Sequence, residues 1–461
     1  MPLRSSPYGY WSSPTRFVLA VLGLVIGLGN LWRLPGLVAN HGGSAFLLIY
    51  LLSLFGLAAP LLINEWLLGR WMRSNIVWGL RHLSQVGNIG RGWQVFGWTA
   101  LIAAGLVLSY YAVIAGWTLA YAIRAGAGVF AQADAGAIRD QFLALAGDPE
   151  RSLAWHTIFM VFVTIIVAHG PRVGLERAVS LLVPTAIVLV VGLFLLAGST
   201  GYLQTAAGQL LGFRPADLGV TGVLSAISQS FYTLSLGVGA MLAYGVFLPS
   251  NAPIVRSAFV VLIGDTVFML VGGMAIYAVV LASGEVPRSG VPLLFQQVPQ
   301  AFGALGALPA LAVFVLLALL TLTSAIGLLE PIVVRCMERF GISRVFAATA
   351  SGILIWMIGL TTVLSFNVLA EVSPGGRTIA EWLLDLTGRV LFPLTTLGLC
   401  IYVSRMLPKA LVAELWGVEL TDRRYRVWHW MMRYPARIGI IIVLIDALGI
   451  GQRLVALWTH P

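Results

Sequence analysis

Apolar residues in this chain run on in blocks, each long enough to cross a bilayer. Eleven blocks can be drawn, at roughly 16–38, 44–68, 95–123, 152–169, 178–197, 221–248, 255–283, 304–334, 345–366, 378–404 and 435–457. An apolar run of about 18 or more residues reads as a transmembrane helix. The pattern therefore predicts an all-α integral membrane protein with about eleven transmembrane helices. Two blocks break the pattern from inside. The first contains "GLVIGLGNLWRLP" at 23–35, and the sixth contains "QSFYTLSLGVGAMLAY" at 229–244, with Thr233, Ser235, Gly237 and Gly239 in its middle.

Glycine, asparagine, arginine and proline at mid-membrane demand an explanation. Unwinding a helix in hydrocarbon strands N–H and C=O groups, each costing several kcal/mol when unpaired. Such a segment survives only where it lines a cavity or binds something polar. Freed carbonyls can hold a cation, and the N-terminus of a half-helix can hold an anion. The broken spans open two sets of five, and because five is odd the second set enters the membrane inverted. Paired broken helices in inverted halves point to a transporter's binding site near the midplane. The expected organisation is a first five-helix repeat over 1–200, an inverted second repeat over 201–405, and a cytoplasmic segment with an eleventh span over 406–461.

Composition narrows the class. Apolar residues make up 59% and charged residues 10%, against about a quarter charged in soluble domains. The formal charge of +10 would suit nucleic acid, but its placement does not. With the N-terminus inside, 19 of the 28 basic residues fall in cytoplasmic segments, among them Arg70, Arg73, Arg81, Arg91, Arg423, Arg424 and Arg426. This positive-inside bias orients the chain N-in and C-out and makes membrane lipid, not nucleic acid, the expected partner. The first block lacks the cleavage pattern of a signal peptide and is expected to stay as a span.

Candidate chemistries fall away in turn. Lys409 is the only lysine and no Walker A sequence occurs, so ATP hydrolysis is not expected. Cys336 and Cys400 form no metal or disulfide framework, and the six histidines are scattered, so an enzyme is not expected. A channel would need a filter repeat that is missing here. A non-transporting amino-acid sensor stays open beside a transporter.

Six segments in order carry a more specific likeness: "GLGNLWRLP" at 27–35, "HGGSAF" at 41–46, "NEWLLGR" at 64–70, "SYYAVIAGWTLAY" at 109–121, "QSFYTLSLGVGAM" at 229–241 and "TLTSAIGLLEP" at 321–331. With these the chain resembles the neurotransmitter:sodium symporter family, in particular its bacterial amino-acid carriers of leucine-transporter type. The resemblance implies a 5+5 inverted-repeat fold and sodium-driven import of an amino acid across a plasma (inner) membrane, with no particular oligomeric state.

The resemblance also implies residue roles. One sodium site would use the carbonyls of Gly23, Ile26 and Leu320 with the hydroxyls of Thr323 and Ser324. Another would use the Val25 carbonyl, Asn30, Thr233, Asp265 and the substrate's own carboxylate. All-oxygen shells suit a hard cation. Asp265, in "LIGDTVF", is also singled out by physics, because a carboxylate within a span is a functional hypothesis by default. Its fixed charge would take the place of the chloride that animal members require. One turn on, where some bacterial relatives are acidic, this chain has Met269.

For the substrate, the N–H groups of Leu28 and Gly29 and the Tyr111 hydroxyl would bind the carboxylate. The carbonyls of Val25, Tyr232 and Thr233 with the Ser235 hydroxyl would take the ammonium. Monoamine carriers of the family place an aspartate where this chain has Gly27, so an amino acid is expected over a monoamine. Leu24, Val107, Tyr232, Val238, Ala325 and Leu328 would form an apolar side-chain pocket, suited to leucine, methionine, phenylalanine or tryptophan. Arg33 and Asp385 would close an outer gate, with Tyr111 and Tyr232 below them. Trp11 and Glu338 occupy inner-gate positions, but Tyr8 stands where the family has an arginine, with Arg4 as a possible substitute. Glu65 and Gln229 would hydrogen-bond the unwound backbone.

Overall fold

A computed structural model describes residues 8–131, 133–249 and 252–449. Arg4 and the end of the eleventh block lie outside them. Among the described residues the chain is helical throughout, and the single β-bridge, Gly43 to Phe213, ties two loops. Eight helices are long and apolar enough to cross a membrane: Ser44–Met72, Arg91–Gly126, Pro149–Ala168, Pro171–Ser199, Ile254–Ala282, Ala307–Phe340, Arg344–Ser365 and Ile379–Met406. These are the second to fifth and seventh to tenth expected spans.

The first span is Pro14–Val25 followed by Leu28–Asn40, bent by 55° at the break. Ser13 caps its start by accepting from the Arg16 N–H, which satisfies a donor the first turn leaves over. The helix stops at Ile26 and Gly27, both extended, before turning again at Leu28. The sixth span is likewise two pieces, Gly219–Thr233 and Ala240–Val246. Neither piece reaches spanning length alone, because Ser235, Gly237 and Gly239 between them all take positive φ. Of the eleventh block, a helix over Pro435–Ala447 is described.

The core is the packing of the eighth span along the third, with the first, seventh and fifth spans around the break. Small residues let backbones approach, as in other membrane bundles. A Cβ at Gly69 would lie 2.0 Å from the Leu242 carbonyl, and one at Gly116 2.7 Å from the Trp155 backbone. Lipid-facing residues such as Leu181, Val188 and Leu195 of the fifth span stay exposed, as hydrocarbon solvent requires.

Candidate functional site

The two breaks lie at mid-bundle, and side chains satisfy part of the backbone they free, one from the same span and one from another. The Gly27 N–H donates to Asn30 Oδ1 at 3.1 Å, and the Gly237 N–H donates to Glu65 Oε1 at 2.8 Å. Gly237 is obligatory on two counts. Its φ is +80°, and a Cβ there would lie 2.4 Å from the Phe392 carbonyl, in a conformation that L residues rarely adopt.

Beside these turns the structure gathers a cluster of side-chain oxygens around an acid. Asp265 is fully buried; it accepts from Asn30 Nδ2 at 2.7 Å and from Thr233 Oγ1 at 3.0 Å. Asn30, Thr233 and Asp265 come from the first, sixth and seventh spans, so three of the side chains named for the first sodium site meet; Val25, whose carbonyl was named with them, ends the first helix piece at the break. Tyr50, in the second span, lies buried next to Asp265 and Thr233. Sequence reasoning missed it, since a tyrosine inside "LLIYLLS" carries no signal beyond aromatic packing.

Residues named for the second predicted ion site also lie near one another, in the first and eighth spans. Ser324 Oγ donates to Leu320 O at 3.1 Å and lies 3.2 and 3.4 Å from the carbonyls of Leu24 and Gly23. Thr323 Oγ1 donates to Leu320 O at 3.0 Å. A cavity of about 10 Å³, about the size of one water, lies beside them, lined by Gly23, Ile26, Leu320 and Thr323 and otherwise by apolar side chains such as Leu22, Val183, Ile187 and Phe268. Hydroxyls and carbonyls converging without thiolate or imidazole form the donor set of a hard cation. Among the described residues no group of three or more histidine, cysteine or acidic side chains could hold a metal.

Between these two groups of residues lies the position expected for substrate. A Cβ at Gly27 would meet Ser324 Oγ at 3.3 Å and the Tyr111 hydroxyl at 3.4 Å, so any side chain there would intrude on both. The Tyr111 hydroxyl is buried within reach of the Ser324 side chain and the Leu28 backbone, so it faces the N-terminal turn of the second helix piece. Gly29 has open space around it. Leu24, Val107, Val238, Ala325 and Leu328 are all buried, and Tyr232 is half-buried. Ser235 sits in the sixth-span turn with φ +50°, its N–H donating to Tyr232 O at 3.0 Å.

The gates differ from the expected pairs. Arg33 and Asp385 are not joined. Asp385 is held by Arg377 through Oδ2 and, at 2.9 Å, by Arg389 Nε through Oδ1, so that both of its oxygens are engaged. Arg33 instead lies over the Tyr232 ring, 4.7 Å from its centroid, an attraction of cation to π-face. At the inner end Trp11 and Glu338 take separate partners. The Trp11 indole donates to Tyr244 O at 3.1 Å. Glu338 accepts from the Tyr8 hydroxyl, the Asn75 N–H at 2.9 Å and the Asn75 amide. Tyr8, where an arginine was expected, thus stands as a neutral donor to the carboxylate. Ser12 adds a tie that the sequence did not signal, donating to Glu176 through its N–H at 3.0 Å and through its hydroxyl. Gln229 is buried, but its side-chain oxygen makes no hydrogen bond, so the supporting role falls to Glu65.

The sequence signature described as "Sodium:neurotransmitter symporter family" matches residues 8–133 and 147–449. An uncharacterized sodium-dependent transporter of Bacillus subtilis, YhdH, is 31% identical over 95% of this chain and 98% of its own. The sodium-dependent neutral amino acid transporter B(0)AT2 of Rattus norvegicus is 36% identical, over 24% of this chain and 14% of its own. The crystal structure of MhsT in complex with L-phenylalanine superposes with a TM-score of 0.86 at 32% identity, covering 95% of this chain and 99% of that one.

Proposed function

The chain belongs to the sodium:neurotransmitter symporter family, and from that premise we propose that it is a sodium-coupled symporter importing an apolar amino acid by alternating access. The family is one of sodium-dependent transporters, and the many apolar helices are those of a multi-pass membrane protein. The observation that carries the finer reading is the meeting of Asp265, Asn30 and Thr233 beside the unwound first span. A buried carboxylate with only neutral partners there is balanced by a bound cation.

The site's residues divide the work. Asp265, Asn30, Thr233 and the Val25 carbonyl hold one sodium, completed by the substrate carboxylate. Thr323, Ser324 and the carbonyls of Gly23, Ile26 and Leu320 hold a second. The Leu28 and Gly29 N–H groups and the Tyr111 hydroxyl take the carboxylate. The Val25, Tyr232 and Thr233 carbonyls with Ser235 take the ammonium, and Leu24, Val107, Val238, Ala325 and Leu328 receive the side chain. With Asp265 supplying fixed negative charge, chloride is not required. Arg33 leaves Tyr232 for Asp385 when the outer side closes over substrate, and the Tyr8, Trp11 and Glu338 contacts open when the inner side does. The chain lies N-in and C-out in the plasma membrane, its repeats over 1–200 and 201–405.

The apolar pocket supports an aliphatic or aromatic amino acid, as do the phenylalanine bound by MhsT and the neutral amino acids named for B(0)AT2. The test is uptake of a labelled amino-acid panel into proteoliposomes under a sodium gradient, with potassium as the control. Sodium-dependent accumulation of leucine, methionine, phenylalanine or tryptophan is expected. Sodium-dependent binding with no accumulation would make the protein a sensor.

A further inference from the structure

The cytoplasmic end of the bundle carries a groove that the transport site does not use. It lies where the second span ends, the seventh begins and the helices Lys409–Trp416 and Arg423–Arg433 cross beneath them, with a volume of about 460 Å³. Three arginines, Arg70, Arg256 and Arg424, are among its lining residues, and no acidic residue is. Apolar walls come from Leu67, Val418 and the Trp416 ring. Arg70 is buried and fixed, its Nη2 donating to Leu415 O at 2.9 Å. Arg424 is held by Asp422 at 3.0 Å. Arg256 is exposed, in the first turn of the seventh span.

Above the groove the seventh span presents an uncovered stripe. Phe259, Val260, Ile263 and Val267 are each about half exposed, and with Arg256 they recur at three- and four-residue spacing on one face. Phe259 stacks on Phe55 of the second span, centroids 5.8 Å apart, which gives the stripe a second wall. Charge at the bottom, a tryptophan beside it, of the kind enriched at membrane interfaces, and an apolar lane above match one kind of molecule end to end.

We propose that this groove holds the phosphate headgroup of an anionic phospholipid of the cytoplasm-facing leaflet, with an acyl chain along the Phe259–Val267 stripe. Guanidinium forks suit phosphate oxygens, and basic pockets on this side of a membrane protein attract anionic headgroups. The bound lipid joins the second and seventh spans, which carry Glu65 and Asp265, to the segment that follows the tenth. The inference rests on the N-in orientation proposed above and not on transport.

The experiment is native mass spectrometry of the full-length protein exchanged into mixed phosphatidylglycerol and phosphatidylcholine. Wild type is expected to retain phosphatidylglycerol over phosphatidylcholine by about tenfold or more. The preference should fall to near parity in Arg256→Gln/Arg424→Gln and persist in Arg256→Lys/Arg424→Lys. Where the double glutamine variant does not fold, Arg256→Gln alone is read in the same way. Equal retention of the two lipids by wild type, or an unchanged preference in the glutamine variant, would overturn the proposal. Displacement of the lipid by millimolar inorganic phosphate would also overturn it, by showing a free-phosphate site. Because lipid retention is read without flux, a protein that failed to transport would leave this result standing.

Discussion

The Asn30 side-chain amide donates to the Asp265 carboxylate at 2.7 Å, linking the broken first span to the seventh in a region with no exposure to solvent. Asn30 also accepts the Gly27 N–H through its oxygen. One side chain therefore caps the restarted helix and positions the acid. This couples the shape of the break to the charge beside it.

That link makes Asp265→Asn informative. Losing the charge should weaken sodium activation of uptake by about ten- to a hundredfold, the range for hydrogen bonds to a charged group. Wild-type uptake should be the same in chloride and in gluconate. Sodium titrations of initial uptake rate in the two anions measure both effects.

Gly237→Ala tests the sixth-span turn. Its positive φ and the 2.4 Å approach to the Phe392 carbonyl leave no room for a methyl group, and strain of this kind costs about 1–3 kcal/mol. We expect a lowered melting temperature and loss of sodium-dependent uptake, read by thermal unfolding and flux on the same preparation. Gly29→Ala, at an open position, should melt as wild type does.

Arg377→Gln addresses the outer gate. Arg377 and Arg389 occupy Asp385 in this structure, so removing one competitor frees the carboxylate for Arg33. Exposed ion pairs are worth about 0–1 kcal/mol, so apparent substrate affinity should rise by no more than about fivefold. Competition binding measures the change, and Asp385→Asn should move affinity the other way.

The inner latch has its own signature. Burial first, and then the hydrogen bond to Glu338, raises the Tyr8 phenol well above the ordinary tyrosine range. A phenol with a raised pKa keeps its proton as pH rises, so its contribution is complete below the ordinary tyrosine pKa and is lost only well above it. Hydrogen exchange in residues 8–13 should therefore be flat in protection from pH 6 to about 9. Tyr8→Phe should raise exchange there several-fold, for loss of a bond worth about 1 kcal/mol or more.

Much of this was legible in the chain. Continuous apolar runs located the long helices with ends off by up to seven residues, because lipid imposes length and polarity on every span. Gly27, Asn30, Gly237 and Asp265 stood out because each is costly at mid-membrane without a purpose. The gate partners were not legible. Arg33 and Asp385 lie hundreds of residues apart, and nothing in the sequence shows that Arg377 and Arg389 reach the same carboxylate. Glu338 could be placed, but its partners Tyr8 and Asn75 come from the N-terminal segment and the start of another helix. Tyr50 was hidden because an aromatic residue in an apolar run reads as packing.

The central claim is that sodium at two oxygen sites drives the amino acid inward, and the flux ratio tests it most directly. Labelled sodium and labelled substrate would be followed together into proteoliposomes, with wild type compared to Thr323→Ala/Ser324→Ala. The account predicts two sodium ions per amino acid in wild type and loss of coupled uptake in the variant. Substrate uptake that is indifferent to sodium, or unchanged in the variant, would contradict it.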